Sequence, residues 1–245
     1  MKTIAITNDD GYTEGVRILL DFAKGLGNAY AIIPNRQRSA VSTSMTLHKP
    51  MRLYEVEKDI YTLSGTPADC AGFAISCDEF QKPDVIFSGI NWGDNAGIGP
   101  LFGSGTIGAC WQAATYDTPA VAFSLQVKER MGWMKKENWG QPEKIKAAMA
   151  RAWKEIEPQL KEWSFFIVNM PSPEKLDDAK IVFTNKVQRR RYKIMVEKRK
   201  DPYGHPYYWL GGGERPVEDG TDFYEVLKNG NIAITRINVQ GLFRK

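Results

Sequence analysis

Lys2-Thr3-Ile4-Ala5-Ile6-Thr7-Asn8-Asp9-Asp10-Gly11 is the stretch on which the reading of this chain turns. Thr3 to Thr7 is a short apolar run that stops abruptly at Asn-Asp-Asp-Gly. That pattern predicts a buried parallel strand followed by a turn. Val16 to Lys24 then carries helical spacing (Val16, Leu19, Leu20, Ala23), with Gly25 and Gly27 closing it. Tyr30 to Ile33 is a second strand, ended by Pro34. A strand, helix and strand in quick succession predict an α/β fold with a doubly wound, Rossmann-like and mostly parallel sheet.

Working outward, Asn35 to Ser44 is a polar loop rich in Ser and Arg. Alternating strands are expected near Arg52–Val56 and Tyr61–Leu63. Thr66-Pro67-Ala68-Asp69 has the residues of a helix start: Thr as cap, Pro at the first helical position, Asp three residues after the cap. Val85–Phe87 reads as another buried strand running into a Gly-rich loop, Ser88 to Gly105. A helix over about 106–115 and a strand at Ala120–Phe123 follow. Gln126 to Gly140, with Trp133 and Trp139, reads as a surface excursion. Pro142–Glu157 is an amphipathic helix, and Phe165–Val168 and Lys180–Thr184 are strands. The basic, aromatic stretch Val187–Leu210, with Pro202-Tyr203-Gly204 at its middle, predicts a long protruding β-hairpin. A short helix at Asp222–Leu227 and a strand at Ile232–Ile237 complete the chain. One domain over 1–245 is expected, with a core of about 1–186 and 211–245 and the hairpin at about 187–210.

Of the 245 residues, 42% are apolar and 25% charged, the composition of an ordinary globular protein with a sizeable core. A net charge of +4 suits anionic small molecules and falls short of a dedicated nucleic-acid binder. Three cysteines, Cys70, Cys77 and Cys110, have no C-x-x-C spacing, which disfavours a zinc or redox motif. Cys70 and Cys77 are expected on one face of a helix as small buried hydrophobes. The apolar runs are too short for a signal peptide or a membrane span, so a cytoplasmic protein without membrane partner is expected.

Three polar loops, Asn8–Gly11, Asn35–Ser44 and Ser88–Gly105, each follow a buried strand. In an open parallel sheet such loops share the edge at which ligands bind, so they are expected to converge. Two carboxylates about 4 Å apart repel by roughly 4 kcal/mol at an effective dielectric of about 20. Asp9 and Asp10 therefore need a shared proton, a basic group or a cation nearby. Taken alone, Asp-Asp-Gly is more often a plain turn with a helix cap. Ser104-Gly105-Thr106 opens a helix, where free N–H groups, a hydroxyl and a glycine make a phosphate site; the plainer reading is a Ser cap. His48 and His205 are isolated and lack metal-ligand spacing.

Several blocks occur in order: Ile6-Thr7-Asn8-Asp9-Asp10-Gly11, Pro34 with Arg38-Ser39, Ser64-Gly65-Thr66-Pro67-Ala68-Asp69-Cys70, Ser88-Gly89-Ile90-Asn91-x-Gly93-x-Asn95 and Ser104-Gly105-Thr106. Together they strongly resemble the SurE (survival protein E) family of metal-dependent nucleotidases over roughly residues 3–125, and more loosely at Asn169-Met170-Pro171 and the hairpin Pro202-Tyr203-Gly204…Tyr207-Tyr208-Trp209. The resemblance implies one divalent cation per subunit, Mg²⁺ or Mn²⁺, held by Asp9, Asp10, Ser39 and Asn91. Oxygen donors suit such hard ions. It implies phosphate binding by Asn95, Ser104, Gly105 and Thr106, with Asp9 and Asp10 catalytic. It further implies hydrolysis of nucleoside 5′- and possibly 3′-monophosphates, and a homodimer or dimer of dimers that exchanges the C-terminal hairpin. Asn35, Ala40 and Asp94 depart from the family pattern without removing a ligand, and Asp94 adds negative charge beside the phosphate site.

Three other readings compete. A non-enzymatic RNA-binding module would use the basic hairpin (Arg189-Arg190-Arg191, Lys193, Lys198, Arg199, Lys200), although alternation with apolar residues fits a solvated arm better. A receiver domain also places acids after its first strand, but it needs a phospho-acceptor Asp where Ser88-Gly89-Ile90-Asn91 stands. Dinucleotide binding is disfavoured, since no G-x-G-x-x-G spacing follows Gly11.

Overall fold

The computed structural model describes residues 1–127, 139–213 and 215–243. A nine-stranded sheet runs in the order β3-β4-β2-β1-β5-β6-β7-β11-β8. Its strands are β1 (Lys2–Thr7), β2 (Gly27–Pro34), β3 (Leu53–Glu57), β4 (Ile60–Leu63), β5 (Val85–Trp92), β6 (Ala120–Leu125), β7 (Ser164–Met170), β8 (Ile181–Thr184) and β11 (Ile232–Asn238). β4, β2, β1, β5, β6 and β7 pair in parallel. β3 runs against β4, and β11 against β7 with β8 parallel to it. The mostly parallel sheet read from the sequence is thus bordered by antiparallel strands on both sides.

Alternation along β1 and β6 sends bulk to one face and alanines to the other. Ile4, Ile6, Phe87, Val121 and Phe123 pack against α1 (Glu14–Lys24) and α5 (Pro142–Ile156) through Leu19, Phe22, Met149 and Trp153. Phe87 sits edge-on to both Phe123 and Trp153, with centroids 5.3 and 5.0 Å away. On the opposite face Ala5, Ile86, Ala120 and Ala122 meet α2 (Pro67–Ser76) and α4 (Gly105–Thr115) through Cys70, Ala74, Ile107, Cys110 and Ala113. Small residues on both sides of that layer let these helices lie close to the strands. Cys70 is buried as expected, and Cys110 is buried as well. Cys77, in contrast, caps α2 from outside the helix in extended conformation and is half-buried, because α2 ends one residue earlier.

The Thr66 signal is realised as a full capping box. Thr66 Oγ1 accepts from Asp69 N at 3.1 Å and Thr66 N donates to Asp69 Oδ2 at 2.8 Å. The same two side chains hold the preceding loop: Thr66 Oγ1 donates to Ser44 O, and Thr46 N donates to Asp69 Oδ1 at 2.9 Å. Thr66→Ala is expected to cost about 1–2 kcal/mol, the upper part of the usual capping range. Urea unfolding would measure this, and a loss below a few tenths of a kcal/mol would contradict it.

Two boundaries differ from the sequence reading. β5 continues through Asn91 to Trp92, and a short α3 (Ile98–Gly103) occupies the stretch read as loop. The basic hairpin is formed by β9 (Met195–Lys200) and β10 (Pro206–Gly211), which pair with each other in a separate two-stranded sheet. α6 (Asp222–Tyr224) continues into a π-turn over Glu225–Asn229. Most of the Gln126–Gly140 excursion, including Trp133, lies outside the described residues. Trp139 is buried against Trp92, with centroids 4.8 Å apart, and so belongs to the core rather than the surface.

Candidate active site

The three loops converge as the parallel sheet requires. At the carboxyl ends of β1, β2 and β5 lies a cavity of about 590 Å³ lined by Asp9, Asp10, Gln37, Ser39, Asn91, Trp92, Asn95 and Ser104, among others. The turn after β1 is braced by buried Asn8, whose amide donates to Gly11 O at 2.7 Å and accepts from Gly11 N at 3.1 Å. This brace lets two successive aspartates face one space, which a continuing strand would forbid. The loop after β2 is tied to the same point, with Arg38 N donating to Asp9 O at 2.7 Å. Gln37 and Ser39 face the cavity; Arg36 and Arg38 are not among its lining residues.

Asn91 reaches the site through a bulge. Between Ser88 and Asn91 the pairing of β5 with β6 shifts register, which re-aims the strand. Gly89 makes the bulge possible: its φ is +137°, and a Cβ there would lie 2.3 Å from Phe123 O. Asn91 Nδ2 donates to Gly93 O at 2.7 Å, which leaves Oδ1 beside the Thr106 hydroxyl at 3.3 Å. The Thr106 hydroxyl itself donates to Asp9 Oδ1 at 2.6 Å. Gly105 and Thr106 thus pack behind Asp9, and any contact they make with an anion would come from first-turn N–H groups. Ser104 opens on the cavity and its Oγ also caps α4, accepting from Ile107 N at 3.3 Å. Asn95 is held by its backbone, N to Asn169 Oδ1 at 2.7 Å, and by its amide, Nδ2 to Ser124 Oγ at 3.0 Å.

Electrostatically the site is a deficit of positive charge. Burial, then the neighbouring Asp10 charge, pushes the Asp9 carboxyl up to about 7, with the Thr106 hydroxyl working in the opposite direction. Burial also raises Asp10, against bonds from Trp92 N and the Gln37 side chain. Among the described residues neither aspartate has an ion pair with Lys, Arg or His. Two buried carboxylates without a cationic side chain, next to a Ser hydroxyl and an Asn carbonyl, fit a hard divalent ion.

Several residues of this site carry no strong local signal. Asn8 and Asn169 stand in family-like blocks without a role of their own, and nothing local marks Gln37 or Ser124; Asn169 and Ser124 lie one residue before the ends of β7 and β6. An Asn closing the apolar run Phe165-Phe166-Ile167-Val168 was the available hint. Arg191 and Tyr192, at the root of the hairpin, also line the cavity. Arg191 pairs with Asp94, the acid whose charge was expected to burden the phosphate site.

Fold and site together define an α/β protein with an acidic, cation-demanding centre beside a helix start suited to phosphate. The family model for Survival protein SurE matches residues 4–193. The 5'-nucleotidase SurE of Thermofilum pendens is 36% identical over 252 residues, covering 98% of this chain and 91% of that protein. That of Thermococcus gammatolerans is 37% identical, covering 96% and 90%. The crystal structure of SurE protein from Aquifex aeolicus superposes with a TM-score of 0.78 at 32% identity, covering 97% of this chain and 93% of that one. The chain belongs to the SurE family.

Proposed function

We propose that this cleft hydrolyses nucleoside 5′-monophosphates, and 3′-monophosphates as a second substrate, using one Mg²⁺ or Mn²⁺ per subunit held by Asp9, Asp10, Ser39 and Asn91. The nucleotidase class follows from the family; the substrates, ion and residue roles are the proposal. The observation that carries it is the pair of buried aspartates that no cationic side chain pairs among the described residues, facing one cavity with Ser39, Asn91 and Ser104. A divalent ion held there would supply charge neutralisation and polarisation of the phosphoryl group. Asp9 or Asp10 accepts the proton of the attacking water. Thr106 holds Asp9 in place through its hydroxyl. Asn95, Ser104 and the N–H groups of Gly105 and Thr106 receive the phosphoryl oxygens at the start of α4, where the helix dipole favours negative charge.

The hairpin supports a further element of the proposal. Ile194, Val196, Tyr203 and Leu210 are 63–88% exposed on β9, β10 and their flanks. Exposed apolar patches of this kind call for a partner, here a second copy in a homodimer or dimer of dimers that exchanges the hairpin. One domain, core plus arm, is the matching organisation. Among the described residues no helix is long and apolar enough to cross a membrane. The RNA-binding alternative is not favoured.

Phosphate release from a panel of nucleotides, with chelator and with each added metal, tests the proposal. The expected result is release from 5′-monophosphates that chelator abolishes and Mg²⁺ or Mn²⁺ restores. Undiminished release in chelator, or none with any ion, would overturn it.

A further inference from the structure

The loop Gly93–Gly97 carries Asn95 into the cleft, and it is fixed from outside rather than by its own sequence. Gly97 N donates to Asp222 Oδ2 at 2.6 Å, and Ile98 N to Gln188 O at 2.9 Å. Asp222 Oδ1 accepts from Gln188 N at 2.9 Å, so the segment between β8 and the hairpin and the start of α6 grip the loop together. Gly93 N donates to Leu125 O at 2.8 Å, Asn95 itself is tied to Asn169 and Ser124, and the restraint on the Asp94 side chain between them is ionic. Arg191 Nη1 reaches Asp94 Oδ1, with the two side chains 16% and 4% exposed. The guanidinium lies 4.4 Å over the Phe223 ring and 5.1 Å from that of Tyr192, stacked in a fixed orientation. A carboxylate as enclosed as Asp94 is tolerated only when paired. It also sits one residue before Asn95, so any movement of Asp94 is transmitted to the amide that faces the substrate.

We propose that the Asp94–Arg191 pair is a latch that positions Asn95, which makes Arg191 a positioning residue for catalysis rather than a cation for the substrate phosphate. The latch ties the root of the hairpin to the cleft, so the geometry of the site depends on where the hairpin is anchored. This inference rests on the nucleotidase reading for its kinetic readout and on backbone exchange for an independent one.

The test is a double-mutant cycle with Asp94→Asn, Arg191→Gln and the pair combined, assayed on a nucleoside 5′-monophosphate with Mn²⁺. Hydrogen exchange of the peptide covering 93–103 is measured in each variant. A latch predicts that each single change lowers kcat at least tenfold with KM within about threefold. It further predicts that the double variant is no worse than either single, and that exchange of the loop amides quickens about tenfold in all three. A substrate-binding Arg191 predicts instead that Arg191→Gln raises KM while Asp94→Asn does not, and that loop exchange stays as in the wild type. That pattern, or fully additive losses, would overturn the proposal. If a single variant does not fold, Arg191→Lys carries the test: it keeps the charge, loses the planar fork, and should lower kcat several-fold at unchanged KM. A wild-type protein that releases no phosphate refutes the nucleotidase reading alone, since the exchange comparison still decides for or against the latch.

Discussion

Asp9→Asn is expected to lower phosphate release by roughly 10³-fold at saturating metal, because it removes several kcal/mol of charge that holds the ion and orients the attacking water. The same change is expected to leave the fold intact and to alter how stability depends on pH. In the metal-free protein the Asp9 carboxyl is raised from 3.8 to about 7 by burial and by Asp10. The native state therefore retains a proton between those values that the unfolded chain has given up. Its contribution to stability is fully present below about pH 4 and is lost as pH rises through 7, on the order of a few kcal/mol. Asn cannot ionise, so the variant lacks that decline. Urea unfolding in chelator between pH 5 and 8 measures the difference. Parallel curves for wild type and variant, or near-wild-type turnover, would contradict the assignment.

Gly105→Ala is the second large effect. A Cβ at position 105 would stand 2.8 Å from Asp9 Cβ, 3.0 Å from Arg38 O and 3.1 Å from Asp9 Oδ2. Two of those neighbours belong to the turn after β1 and one to the loop that carries Ser39, so relief of the clash spreads the candidate ligands apart. Displacements approaching 1 Å cost about 10²-fold in rate, and a loss of that order in kcat/KM is expected. Alanine favours a helix over glycine by up to about 1 kcal/mol, which works against any loss of stability. Activity should thus fall far more than the melting temperature. Turnover within threefold of wild type would mean that Asp9 and Ser39 are not held against α4.

These two residues illustrate what the chain reveals of itself. An apolar run that breaks into Asn-Asp-Asp-Gly states both a strand and a place for carboxylates. Thr66-Pro67-Ala68-Asp69 states a helix start, and the capping box forms as written. Such signals are local, and local chemistry enforces them. Asn91 lines the cavity, but its setting differs from the one its sequence suggests. Ser88-Gly89 reads as the beginning of a loop, whereas Gly89 instead permits a bulge within a continuing strand. The supporting contacts were out of reach for a different reason. Arg191 and Asp94 are 97 residues apart, and Asp222 and Gly97 are 125 apart. No spacing rule connects positions so distant, and a basic run beside a hairpin looks the same whether it is solvated or docked.

The order β7-β11-β8 has a consequence during synthesis. β7 is buried along its whole length, Ser164 to Met170, and its outer neighbour, β11, is the last of the described strands. β8 is made earlier but among the described residues pairs only with β11, so it cannot cover β7 in the meantime. From the time Met170 leaves the ribosome until Asn238 follows, the nascent protein presents an apolar strand with an open hydrogen-bonding edge. Such an edge is a template for pairing with other chains. The C-terminal strand thus acts as an edge cover as well as a structural element, and a chain ending before Ile232 would aggregate rather than persist as a smaller soluble core.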